Sequence, residues 1–340
     1  MSDPDIDGNR LVGARTSAAQ WWAAGTRWRR WEIAVWLTAA VFLVAWPAQA
    51  PMFNEIAVLA LFALSLDLIL GYAGIVSLGH AAFFGLGAYA AALFAKHVHG
   101  DPLLGILVAA TAAGILGLVS SLLILRGSDL TRLMVTLGVA LIFYELANRL
   151  DWLTGGADGL QGVVMRPLLG VFPFDLAGRV ASVYSFVMLL LLFVIARRLV
   201  RSPFGVALQA IRDNRLRAGA IGIDTNRELV AIYTIAAVYA GIAGGLLAQT
   251  TGFASLDVFD FHRSADVLLV LVIGGVGYLY GGVFGAIGFK LMQDFLSAIT
   301  PQYWTFWLGL VLVVIVLVGR DRFGAGGKRL QRMVGVAPKS

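Results

Sequence analysis

Cysteine is absent from this chain of 340 residues, and histidine occurs four times, as His80, His97, His99 and His262. Without thiols there is neither a disulfide framework nor a cysteine-ligated metal centre. Four scattered imidazoles argue against a zinc or redox enzyme, so no metal site and no catalytic residues are expected. Charge is scarce too: Asp, Glu, Lys and Arg make up 14% of the residues, against about 25% in soluble domains. That shortage, with 59% hydrophobic residues and a mean hydropathy of +0.83, excludes a water-soluble fold. What the chain has in abundance is apolar sequence and forty glycines.

Stretches long enough to cross a hydrocarbon core of about 30 Å number about ten. Phe53 to Leu70, Leu103 to Leu125, Leu133 to Leu150, Leu229 to Gln249 and Tyr303 to Val318 are clear. Ile33 to Trp46, which is short, Val76 to Ala95, which is rich in glycine, and Val180 to Ala196 are less clear. Ala265 to Ala298 is too long for one span and is broken by Gly274, Gly275, Gly277, Gly281 and Gly282. The expected fold is an all-α polytopic membrane protein with about ten spans, or eight if the first and the glycine-broken segments are miscounted.

The net charge of +6 and pI near 9.8 do not point to nucleic acid, because the basic residues lie between apolar segments. With the N-terminus inside, 20 of the 26 Lys and Arg residues fall on the cytoplasmic side. That asymmetry is what retention of basic loops produces, and it predicts both termini in the cytoplasm. Residues 1–31 then form a cytoplasmic tail, 32–319 a transmembrane domain with a cytoplasmic loop at 197–227, and 320–340 a second tail. Ala48-Gln49-Ala50 has the form of a signal cleavage site, yet about thirty polar residues precede the apolar run and Pro51 follows; a retained span is the better reading. Trp21, Trp22, Trp28, Trp31 and Trp36 suggest an interfacial aromatic belt. Five spans per half would allow a 5+5 inverted repeat, whose broken helices would expose backbone groups near the midplane.

Two glycine-rich segments are candidates for such breaks. In Gly71 to Tyr89, glycines 71, 74, 79, 85 and 87 permit turns and close packing, while Ser77 and His80 supply polar groups. In Ile273 to Gly285, Gly277, Gly281 and Gly285 have small-xxx-small spacing. Helix packing alone would account for both. Ionisable residues within spans are costly and mark transport paths; here they are Asp67, Glu145, Asp266, Lys290 and Asp294. Asp67 and Asp266 sit near span ends, and Lys290 with Asp294 has the spacing of a self-neutralising pair. The path candidates are Asp67, Gly74, Ser77, Gly79, His80 and Asp266.

The loop at 197–227 predicts a helix from Ser202-Pro203, a cap followed by proline at the first helical position. Phe204, Ala207, Leu208 and Ile211 share one face, with Arg212, Asp213 and Arg217 polar and Gly219 or Gly222 as the stop. Such a helix suits either the membrane surface, held by anionic lipid, or a groove in a cytoplasmic partner.

Four of these segments in order resemble one family: Gly71 to Tyr89, the loop Thr154-Gly155-Gly156-Ala157-Asp158-Gly159-Leu160, Arg201 to Gly205 leading into Ala210 to Asn214, and Gly222-Ile223. Together, from about Asn54 to Val318, the chain resembles the permease subunits of branched-chain amino-acid ABC importers. That resemblance implies a ten-span inner-membrane subunit beside a related second permease, two cytoplasmic ATP-binding subunits and a periplasmic solute-binding protein. It also implies that Phe204, Leu208, Ile211, Arg212, Asp213 and Gly222 belong to a coupling helix docked on the ATPase, and that Thr154, Gly155, Gly156, Asp158 and Gly159 lie on the outer surface. Arg215 to Ile221 departs from the family, which usually has an acidic residue and alanines there. The first 31 residues lie outside the resemblance.

No G-x-x-x-x-G-K-[ST] occurs, since Gly326-Gly327-Lys328 is followed by Arg329. The chain has no P-loop of its own and no expected cofactor; ATP would be hydrolysed by partner subunits. The family also handles urea, amides and small aromatic carboxylates. An ion-coupled secondary transporter using Asp67, Glu145 or Asp266 is the reading from a different class.

Overall fold

A computed structural model describes residues 30–125, 127, 129–175, 177–303, 305–310 and 313. Among these residues all regular structure is helical, and strand pairing is limited to two isolated bridges, Leu160 with Ala254 and Leu168 with Phe172. The helices are α1 (Arg30–Ala45), α2 (Ala50–Asp67), α3 (Ala81–His97), α4 (Pro102–Ile124), α5 (Asp129–Arg149), α6 (Asp151–Thr154) and α7 (Arg179–Val200). They continue as α8 (Pro203–Asp213), α9 (Arg215–Ala220), α10 (Thr225–Thr251), α11 (Phe261–Gly274) and α12 (Leu279–Ile299).

Among the described residues, six segments are long and apolar enough to cross a membrane: Pro47–Tyr72, Pro102–Ile124, Leu130–Arg149, Arg179–Val200, Thr225–Thr251 and Leu279–Ile299. The chain is therefore a multi-pass helical protein. Helices α1, α3 and α11, with 16, 17 and 14 residues, rise only about 24, 26 and 21 Å at 1.5 Å per residue. Half of the expected span at Tyr303 to Val318 lies outside the described residues, as do Trp21, Trp22, Trp28 and the Gly326 to Arg329 stretch.

The two most enclosed helices are α2 and α10, which pack on each other. Helices α3 and α4 pack against α10, while α11 and α12 pack against α2. Small residues make these approaches close. A methyl group on Gly87 would overlap the backbone of Gly241, one on Gly241 the Ala113 side chain, and one on Gly244 the Phe84 carbonyl. Such contacts are how membrane helices gain packing energy where lipid offers no hydrophobic drive. Outward, α4 and α5 present exposed Leu107, Ile115, Val119, Met134, Leu141 and Ile142, a surface suited to lipid. Gly87→Ala is expected to cost about 3 kcal/mol or more, because rigid backbone opposes the new methyl. Gly138→Ala, with nothing within 4 Å of its added carbon, should leave the thermal midpoint in mild detergent unchanged; equal midpoints for both variants would refute this packing.

Trp36 does not join an interfacial belt. It is 7% exposed and meets Phe186 and Phe193 of α7 edge-on, at centroid distances of 5.8 and 5.1 Å. Beside it Glu32, buried in the first turn of α1, pairs with Arg197 at 2.7 Å and approaches Arg201 at 3.6 Å. The pair fastens α1 to α7.

Candidate functional site

Both glycine-rich segments are breaks, and they meet. Helix α2 ends in a π-helical turn, Leu68–Tyr72, after which the backbone leaves the helix until Ala81. On the other side α11 stops at Gly274, and Gly275 to Tyr278 turns the chain into α12. Gly277 makes that turn at φ +80°, in the left-handed region where side chains are strained. The fully enclosed carboxylate of Asp67 accepts the Gly277 backbone N–H at 2.7 Å through Oδ1. Gly71 lies so close that an added methyl would be 2.7 Å from the Gly277 Cα. A buried carboxylate needs such donors to offset its lost hydration.

The loop at 197–227 reaches the same place. Its predicted helix is two helices, α8 and α9, divided at Asn214, whose extended backbone (φ −161°, ψ 104°) breaks the run and whose side chain caps the Arg217 N–H at 3.0 Å. Ser202 occupies the predicted start, but its hydroxyl donates back to the Leu199 carbonyl at 2.6 Å instead of capping α8. Leu208 and Ile211 are buried and Phe204 is partly buried against the chain's own core. Arg212 Nη1 donates to the Gly71 carbonyl at 2.5 Å, and its Cγ would be 2.8 Å from a methyl on Gly74. Asp213 points outward and, among the described residues, pairs only with the Arg212 guanidinium, at 3.5 Å. Gly222 ends α9 at φ +92°, with Ile223 N–H returning to the Ala218 carbonyl at 3.1 Å; its role there is a helix stop. Leu216 and Ile221 are exposed beside it.

Asp67, Gly71, Gly74 and Arg212 thus converge with Gly277. His80, Ser77 and Gly79 lie elsewhere on the same non-helical stretch. His80 is fully enclosed, stacks on Phe62 at 5.6 Å and meets the Ser65 hydroxyl at 2.9 Å. Because Ser65 gives its one proton to the Phe62 carbonyl at 2.6 Å, His80 Nε2 must be the donor to Ser65. Ser77 is also enclosed, and Gly79 lies against the Thr136 carbonyl of α5.

Asp266 is separate from that group. It is partly buried on α11 and lines a cavity of about 400 Å³ with Glu55 and Lys290. Lys290 pairs with Asp294 at 3.4 Å, as their spacing predicts, and more closely with Glu55 at 2.5 Å. Glu145 pairs with Arg149 at 2.5 Å on an exposed face of α5. In the loop after α5, Thr154 donates to the Ala147 carbonyl at 2.5 Å, and Gly155, Gly156 and Gly159 have positive φ. Asp158 is exposed, and Leu160 bridges to Ala254 through its N–H at 2.8 Å.

Sequence reasoning passed over Glu32, Glu55 and Ser65. Glu32 and Glu55 lie near helix starts, where a carboxylate reads as a favourable end charge, and Ser65 carried no local signal.

Helices long and apolar enough to cross a membrane, with two breaks where a loop helix touches the bundle, define a multi-pass membrane protein. Residues 51–317 match the sequence profile described as "Branched-chain amino acid transport system / permease component", and the chain belongs to this family. It is 32% identical over 314 residues to the high-affinity branched-chain amino acid transport system permease protein LivM of Escherichia coli, covering 82% of this chain and 71% of that protein. A probable branched-chain amino acid transport permease protein LivH of Methanocaldococcus jannaschii is 25% identical over 271 residues, 76% of this chain and 84% of that one. A galactose/methyl galactoside import permease of Haemophilus influenzae is 26% identical over 232 residues, 64% and 67% of the two chains. No solved structure matches.

Proposed function

We propose that the chain is a permease subunit importing branched-chain or other hydrophobic amino acids across the bacterial inner membrane, driven by ATP hydrolysed in partner subunits. Its partners would be a second related permease, two cytoplasmic ATP-binding subunits and a periplasmic solute-binding protein. Residues 32–319 would form the membrane domain, with ten crossings and cytoplasmic tails at 1–31 and 320–340. The crossings would include the short α1, α3 and α11 and a last span near Tyr303. An inverted repeat of five and five is supported by the exchange of hairpins: α3 and α4 lie on α10 as α11 and α12 lie on α2.

The observation that carries the reading is the Arg212 contact. Motion of the ATPase would reach α8, pass through Arg212 to the Gly71 turn, and from there act on Gly277 and α11. Leu208 and Ile211 would anchor α8 to the membrane domain, leaving the outward surface of α8 and α9 for the ATPase. Solute would pass along α2, from the cavity at Glu55, past Phe62 and the enclosed His80, to the break at Gly71. Such a cycle runs only if ATP favours one of two conformations.

Mild-detergent purification of the tagged chain from its native membrane should recover a Walker-motif ATPase and a second permease, and vesicles holding that complex should take up leucine only with ATP. Uptake by the chain alone, without ATP, would replace this reading with ion-coupled transport through Asp67, Glu145 or Asp266.

A further inference from the structure

The cavity of about 400 Å³ between α2, α3, α10, α11 and α12 has chemistry that the coupling mechanism does not use. Glu55 lies sixteen residues before Gly71 on the α2 segment, so the cavity mouth is roughly 24 Å from the Arg212 contact at 1.5 Å per residue. It therefore sits toward the opposite end of the bundle. Its floor is apolar, formed by Leu59, Phe62, Phe84 and Phe289. Its walls carry two acids, Glu55 and Asp266, and two bases, Arg263 and Lys290.

Four ionisable side chains on one membrane-embedded face are costly against lipid and stand where water or a polar solute reaches them. Acids and bases side by side offer a partner to each end of a solute that carries both signs. The groups also differ in engagement. Lys290 is held by Glu55 at 2.5 Å and Arg263 by Asp257 at 3.0 Å. The Asp266 carboxylate has no hydrogen-bond or ion-pair partner among the described residues. A cavity of this size, apolar with a few convergent polar groups, has the character of a small-ligand site, whose usual range is about 300–1,000 Å³.

We infer that this cavity is a solute subsite for a zwitterion with an apolar side chain. The solute's ammonium would meet Asp266, its carboxylate would meet Lys290 or Arg263, and its side chain would rest on the phenylalanine floor. The inference rests on the import reading above and narrows it, by placing a solute station within the permease itself.

The natural absence of cysteine makes the test direct. Gln293→Cys and Thr251→Cys each place one thiol on the cavity wall, and Val164→Cys places one on an exposed loop as control. Each full-length variant is studied in native membranes with its partners, using a membrane-impermeant methanethiosulfonate. Leucine should slow labelling of both cavity thiols at least fivefold and leave the control unchanged. Isovalerate, 3-methylbutylamine and glycine, each lacking one recognised feature, and urea, lacking all three, should slow it less than twofold. Adding Asp266→Asn should remove the leucine protection while the thiols still label.

Cavity thiols that do not label from outside, or that label without protection by leucine, would overturn the subsite. Protection by isovalerate or urea equal to that by leucine would overturn its zwitterion selectivity. ATP-dependent uptake measured in the same membranes separates the two claims. Uptake without protection sinks the subsite alone, and protection without ATP-dependent uptake sinks the importer reading alone.

Discussion

Arg212→Ala should lower solute uptake ten- to a hundredfold in the assembled importer while ATP hydrolysis continues. The guanidinium ties α8 to the α2 break through one charged hydrogen bond to the Gly71 carbonyl, at 2.5 Å. A bond of this kind contributes about 1.5–3 kcal/mol, and about 1.4 kcal/mol corresponds to a factor of ten. Asp67 and Gly277 continue the connection at 2.7 Å into the α11–α12 turn. Losing Arg212 removes the polar tie between the loop helix and the breaks without touching any nucleotide site. Asp213→Ala serves as the contrast. Its one ion-pair contact among the described residues, at 3.5 Å between groups 41% and 74% exposed, is of the surface kind that contributes little, so uptake should change less than twofold. Arg212→Lys should recover part of the activity, since a lysine keeps the charge but not the planar fork. The ratio of leucine imported to ATP hydrolysed in proteoliposomes decides the matter. A ratio unchanged in Arg212→Ala would remove α8 from the coupling route.

Glu32→Ala should destabilise the membrane domain by about 3–5 kcal/mol, the range for breaking a buried ion pair from one side. Glu32 and Arg197 are 2% and 4% exposed at their side chains and 2.7 Å apart. Removing the carboxylate leaves the Arg197 charge enclosed next to Trp36 and Phe193. Against a typical stability of 5–15 kcal/mol, that loss should show as aggregation after detergent extraction and a sharply lower thermal midpoint. Replacing both partners, Glu32→Gln with Arg197→Met, should recover most of the stability, because two neutral side chains leave no buried charge. If Glu32→Ala behaves like the native chain, α1 is held by its aromatic contacts alone.

How far the sequence could lead depends on which residues are considered. The starts and stops of most spans were legible, because an apolar run bounded by Pro, Gly or charge is a local property. Leu103 to Leu125 became Pro102–Ile124, and the glycine run after Ile273 became a real break. Ser202-Pro203 marked the start of α8, although Asn214 divided what the pattern joined. Trp36 was misplaced because a tryptophan near a span end reads equally well as a belt residue or a core residue, and only packing against Phe186 and Phe193 separates the two. Arg197 counted toward the basic loop, whereas its partner Glu32 lies 165 positions away and left no local trace.

Composition, hydropathy and glycine spacing by themselves determined that this is a helical membrane protein with interrupted helices and an amphipathic loop, since each depends only on neighbouring residues. Four ordered motifs were enough to suggest its family. Only the tertiary structure decided that the two interruptions touch, that Arg212 turns toward them, and that Glu55, Arg263, Asp266 and Lys290 share one cavity. The contacts involved join residues 141 and 210 positions apart. Their meeting is fixed by how closely glycine-faced helices cross, a property of packed pairs that no stretch of chain carries alone.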